Sequence, residues 1–199
     1  MKRHRSLAPL SHDHHRALVQ ARRLKRVRES SDPGRVARAF LRFFAEETVR
    51  HFREEEELVF PAVLDCPAAR EPLVQSLLQH ERLYELAKLL REALDTGRPI
   101  TPIMQELGDL LVAHVRREER CLFPLIEEFV YDSTLAAIDL APWGSDPEGE
   151  PQRARRDVSQ ETAPTGSTTT LYWGNGGGPH CDAAFLGDRC WDAKDPQRW

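Results

Sequence analysis

One pattern occurs twice in this chain: His51-x3-Glu55-x4-Phe60-Pro61 and, 63 residues later, His114-x3-Glu118-x4-Phe123-Pro124. A spacing of four places His and Glu on one face of an α-helix, about one turn apart. Each pair continues an apolar stripe, so the fold must accept two imidazoles and two carboxylates in its interior. Each copy is preceded by a lone histidine: His14 in Asp13-His14-His15, 37 residues before His51, and His80 in His80-Glu81, 34 residues before His114. The chain reads as a duplicated helical hairpin with a candidate ligand on every helix.

Start and stop signals predict four helices. The first starts at Ser11 as N-cap, with Asp13 in its first turn, and runs to about Glu29. Ser30-Ser31-Asp32-Pro33-Gly34 breaks the chain, and Asp32 caps a second helix with Pro33 at its first position. That helix turns Val36, Phe40, Phe43 or Phe44, Glu47, His51, Glu55, Leu58 and Ala62 inward, and Pro61 kinks or ends it. A third helix starts near Pro72 and stops at Thr96-Gly97, with Leu73, Leu77, His80, Tyr84, Ala87 and Leu94 on one face. The fourth opens with Thr101 as cap and Pro102 next, and its stripe of Met104, Leu107, Leu111, His114, Glu118, Cys121 and Leu125 passes through the ligand pair.

Short connections make consecutive helices antiparallel neighbours in an up-down bundle. Counted from the turns between them, His14 with His51, Glu55 with His80, and His80 with His114 mismatch by only one to three residues. At 1.5 Å per residue this is roughly 2 to 5 Å, so all four helices bring their polar inner residues to one level.

The chain has 199 residues, 30% charged and 40% hydrophobic, with a formal net charge of -4. Those values fit a globular domain and give no global reason to expect nucleic acid or a membrane surface as partner. Residues 1 to 28 carry nine Lys or Arg against one acid, Asp13, which reads as a solvated helix face. No apolar h-region follows the basic start, and no stretch approaches a membrane span. Cys66, Cys121, Cys181 and Cys190 are scattered rather than patterned, which points to a reducing, cytoplasmic setting. A short helix is expected within 131–140. From about 141 the chain is rich in Pro, Gly, Ser, Thr and charge, the composition of a disordered tail over 141–199.

A single buried histidine is more often a hydrogen-bonded core residue than a ligand. Two His-x3-Glu pairs and two further histidines at one depth are different, because unpaired carboxylates in an apolar core cost several kcal/mol. Four imidazoles and two carboxylates suit first-row transition metals, iron above all for mixed nitrogen and oxygen ligation. Within the acid run Glu54 to Glu57, helical phase selects Glu55, with Glu54 as the alternative, and three of the four read as a solvated face. Glu47, one turn before His51, is either a partner for an imidazole or a side chain reaching water. His12 and His15 point outward, though a shift of one residue makes His15 the ligand. His80-Glu81 lacks the second His of the zinc-protease helix, the Glu-x2-His pair of ferritin-like proteins is absent, and His180-Cys181 with Cys190 lacks zinc-site spacing.

Asp13-His14, His51-x3-Glu55 with Phe60-Pro61, His80, and His114-x3-Glu118 with Phe123-Pro124 together resemble the hemerythrin-like (HHE cation-binding) family. The resemblance covers roughly residues 7–130. It implies an all-α four-helix bundle around a non-heme di-iron centre. The two irons would be bridged by Glu55, Glu118 and an oxo or hydroxo group, with His14, His51, His80 and His114 at the ends. Oxygen-carrying members supply His-x3-His from the third helix, where this chain has His80-x3-Tyr84. Tyr84 is therefore a candidate ligand, and reversible oxygen carriage is put in doubt. The implied activity is binding or sensing of oxygen, nitric oxide or peroxide. The alternatives are a di-iron enzyme for peroxide decomposition or nitric-oxide and iron-repair chemistry, and an iron store or structural bundle.

Overall fold

The computed structural model describes residues 3–29, 32–138 and 140, and every regular element among them is helical. Four rods are packed together. The first is α1 (Ala8–Lys25), followed by a 3-10 turn at Val27–Glu29. The second is composite: α2 (Pro33–Phe43), a π-helical turn at Phe44–Thr48, α3 (Val49–Glu54), a second π turn at Glu55–Val59, and a 3-10 turn at Phe60–Val63. The third is α4 (Pro67–Thr96). The fourth runs through α5 (Thr101–Arg117), a π turn at Glu118–Leu122, and α6 (Phe123–Phe129), and α7 (Asp132–Ala136) follows it.

Two apolar clusters prove the antiparallel order. Leu24 near the end of the first rod, Ala37 near the start of the second, Leu90 near the end of the third and Met104 at the start of the fourth share one cluster. Leu7, Val63, Ala69 and Ile126, from the opposite ends of the same rods, share the other. Between the clusters lies a layer of buried His and Glu side chains, at the single level expected from the sequence. Helix α1 packs along α5 so closely that a Cβ on Gly108 would lie 2.9 Å from the carbonyl oxygen of Ala21.

Asp32 caps α2 as expected, its carboxylate accepting from the Arg35 N–H at 2.8 Å, and Gly97 closes α4 in the left-handed region at φ 69°. Three helix starts differ. Helix α1 begins at Ala8, not Ser11, because Pro9 sits in a first turn where its missing N–H costs nothing, and the Ser11 hydroxyl is left for another partner. The same rule places the start of α4 at Pro67 rather than Pro72, which lies inside the helix. Helix α5 has Ile100 rather than Thr101 at its cap, a shift of one residue. The expected short helix is Asp132–Ala136. Among the described residues no helix is long and apolar enough to cross a membrane. Ser30-Ser31, the disordered tail expected from 141 and His180-Cys181 lie outside the described residues.

The π turns account for the largest departure from the expected stripes. An i→i+5 bond inserts one extra residue per turn, so the buried face advances by one position. After Glu55 the second rod buries Val59 and Val63 rather than Leu58 and Ala62, and Leu58 is 41% exposed. After Glu118 the fourth rod buries Leu122, Phe123 and Ile126 completely, and the expected Cys121 and Leu125 slightly less. The π turns at Glu55–Val59 and Glu118–Leu122 also precede a proline, Pro61 and Pro124. A proline ring clashes with the carbonyl four residues back, and the widened turn lets Pro124 stand inside a continuing rod.

Candidate metal centre

His14, His51, Glu55 and Glu118 form one group whose ligand atoms lie within 4.8 Å of one another, and Glu55, His80, His114 and Glu118 form a second. All six residues are buried, both carboxylates completely. The two groups overlap at Glu55 and Glu118. Glu55 turns Oε1 toward His51 Nε2 (3.3 Å) and His14 Nε2 (3.6 Å), and Oε2 toward His80 Nε2 (3.4 Å). Glu118 turns Oε2 toward His14 Nε2 (3.0 Å) and His114 Nε2 (3.2 Å), and Oε1 toward His80 Nε2 (3.7 Å).

The Nε2 atoms of the four histidines and all four oxygens of Glu55 and Glu118 are buried without a hydrogen-bond partner. Such atoms are costly inside a protein unless something else satisfies them. Donors about 2.1 Å from one ion and at right angles stand about 3.0 Å apart, close to the spacing observed here. Eight orphaned donors arranged around two shared carboxylates are the donor set of a binuclear cation site.

Outside this layer the two halves are crossed. The Nδ1 of His14, from the first hairpin, donates to Glu119 of the second at 2.7 Å. The Nδ1 of His80, from the second hairpin, donates to Glu56 of the first at 2.6 Å. Glu119 also accepts from Ser11 (2.7 Å) and Arg3 (2.7 Å), and Arg3 further reaches Glu127 (2.8 Å) and stacks over Phe123. The Phe-Pro phenylalanines follow the same crossing: Phe123 stacks on His14 at 5.3 Å between ring centroids, and Phe60 on His80 at 6.0 Å. In the two π turns the Phe60 N–H donates to the Glu55 carbonyl and the Phe123 N–H to the Glu118 carbonyl. Phe52 covers the other face of the layer, stacked on His80 at 3.7 Å.

Burial opposes charge on every group here, and everywhere but His114 the partners outweigh it. His80 is pushed up to about 10 because Glu118 and Glu55 outweigh burial. His14 is raised well above the ordinary histidine value, burial being overcome by Glu118, Glu119 and Glu55. His51 is raised for like reasons, through Glu55 and Asp13. Burial wins at His114, which falls to about 4 despite Glu118. Glu55 and Glu118 are both lowered although burial works the other way, held by the surrounding imidazoles. Glu119 is held at about 2 against burial by His14, Ser11 and Arg3. Raised imidazoles at His14, His51 and His80 thus face lowered carboxylates at Glu55 and Glu118.

Of the sequence candidates, His14 is buried while His12 and His15 are exposed, and Glu55 rather than Glu54 belongs to the buried layer. Tyr84 lies one turn beyond His80, its ring edge-on to Phe44 and Phe52, and burial raises its phenol above the ordinary value. Glu47 pairs with Arg16 at 2.7 Å, so neither expected role describes it. Glu56 is exposed, as expected of a solvated face, and in addition it accepts from His80 Nδ1. Glu56 and Glu119 were legible: each directly follows the Glu of its His-x3-Glu pair, and the duplication extends one residue further than helical phase alone selects.

The family model for the hemerythrin HHE cation binding domain matches residues 5–77 and 74–138, one hairpin and its ligands in each stretch. No curated protein and no solved structure gave a significant match. With two thirds of its length matched and a buried His/Glu centre at the crossing of four helices, the chain belongs to the hemerythrin HHE cation-binding family.

Proposed function

We propose that this chain is a non-heme di-iron protein that binds or senses a small ligand: oxygen, nitric oxide or peroxide. The observation that carries the reading is the sharing of Glu55 and Glu118 between two four-residue groups, each of which would offer two imidazoles and two carboxylates to one ion. His14 and His51 would hold one iron, His80 and His114 the other. Two irons so held supply the redox-active, open coordination positions on which small diatomic or peroxide ligands bind. Phe52, Phe60 and Phe123 wall the layer against water. Tyr84 contributes a neutral phenol beside His80, because burial and the nearby Glu56 and Glu81 disfavour its anion.

The test is an iron count with an absorption spectrum on protein purified without chelator from iron-replete cells. About two irons per chain, with near-ultraviolet absorption that changes on adding nitric oxide or peroxide, is expected. One zinc per chain with no iron overturns the proposal.

A further inference from the structure

Each imidazole of the centre has a second ring nitrogen, and what faces it differs between the halves. On the side of the first hairpin both histidines have a carboxylate behind them. His14 has Glu119, itself pinned by Arg3 and Ser11. His51 has Asp13, whose Oδ2 stands 3.5 Å from Nδ1 and is tethered from outside by Arg50 at 3.6 Å. On the side of the second hairpin only His80 has one, Glu56, which is 39% exposed. The residue that precedes His80 as Asp13 precedes His14 is Gln79. His51 Nδ1, His114 Nδ1 and Gln79 Oε1 are all buried without a hydrogen bond, so the difference between the halves is that a carboxylate stands at ion-pair distance behind His51 whereas the matching position 79 is a neutral amide.

We infer that the two cation positions are unequal: the His14/His51 position binds more tightly and fills first, and Asp13 is the positioning residue that sets the difference. A carboxylate behind a ligating imidazole fixes its tautomer and orientation and raises its basicity, and each such partner is worth about 10- to 100-fold in metal affinity. The first position has two of these partners and the second has one. A neutral amide at position 79 adds no negative charge where the first half has Asp13. The inference rests on the binuclear reading of the site.

The test uses the full-length protein stripped of metal and titrated with cobalt(II) against a competing chelator, followed by visible absorption. Wild type is expected to fill in two steps whose dissociation constants differ about 10- to 100-fold. Asp13→Asn should weaken the first step and merge the two. Gln79→Glu should tighten the second step and merge them from the other side, a gain that a merely structural role for position 79 does not produce and that stands even if Asp13→Asn fails to fold. Two equal steps in wild type, or variants that leave the separation unchanged, overturn the inference while leaving two cations per chain. A titration that ends at one cobalt or none overturns the binuclear reading with it.

Discussion

Protons and metal ions compete for the same atoms in the centre, and the linkage has a definite sign. Glu119 is held at about 2, so its stabilisation is present above the unfolded carboxylate value of roughly 4.3 and is lost as pH falls through 2. His114 is held near 4, so below about 6.5 the unfolded chain takes up that proton first and stability falls further on the acid side. His80 runs the other way. Its stabilisation is complete below about 6.5 and is lost as pH rises through 10, with His14 and His51 shifted in the same direction. Metal-free protein is therefore expected to be most stable near pH 6.5, in urea melts recorded from pH 4 to 10. Stability that climbs steadily from pH 6.5 to 9 contradicts this charge assignment. Tyr84→Phe should retain its metal yet change the absorption spectrum and the rate of reaction with peroxide. Unchanged spectra and rates would leave Tyr84 as a packing residue against Phe44 and Phe52.

Among the elements, the four rods and the level of their ligands were legible because apolar periodicity, Asp32, Gly97 and the His-x3-Glu spacing each carry a local physical signal. The π turns were not, since nothing in regular periodicity announces an inserted residue, and beyond Glu55 the expected face was wrong by one position. In hindsight the x4 gap between Glu and Phe is the trace of that insertion. An earlier proline moves two helix starts, Pro9 ahead of the Ser11 cap and Pro67 ahead of Pro72. A different constraint acts where α1 crosses α5, since Gly108 leaves no room for a methyl group between itself and the backbone of Ala21. Gly108→Ala should lower stability by about 1–3 kcal/mol through overpacking, although alanine favours the helix by itself. A chemical melt of the metal-free variant measures this, and a gain in stability would show that the rods separate freely there.

Among the described residues, both apolar clusters and the buried polar layer are built from side chains between Leu7 and Leu140. A chain ended after residue 140 is therefore expected to keep its helicity and its metal content, measured by circular dichroism and elemental analysis. Loss of metal on truncation would show that later residues close the site.

The crossing of Glu56 to His80 and of Glu119 to His14, with Phe60 and Phe123 following suit, is contact of the type i to j and j to i. Such reciprocity is what an isologous interface between identical subunits is made of. The two hairpins meet as the halves of a homodimer would, but a three-residue link, Leu64 to Cys66, makes their encounter intramolecular. A true homodimer must carry the same residue on both sides of its axis. Because the halves are fused, one can keep Asp13 where the other has Gln79, and the symmetry can be broken at the metal centre without breaking it in the fold.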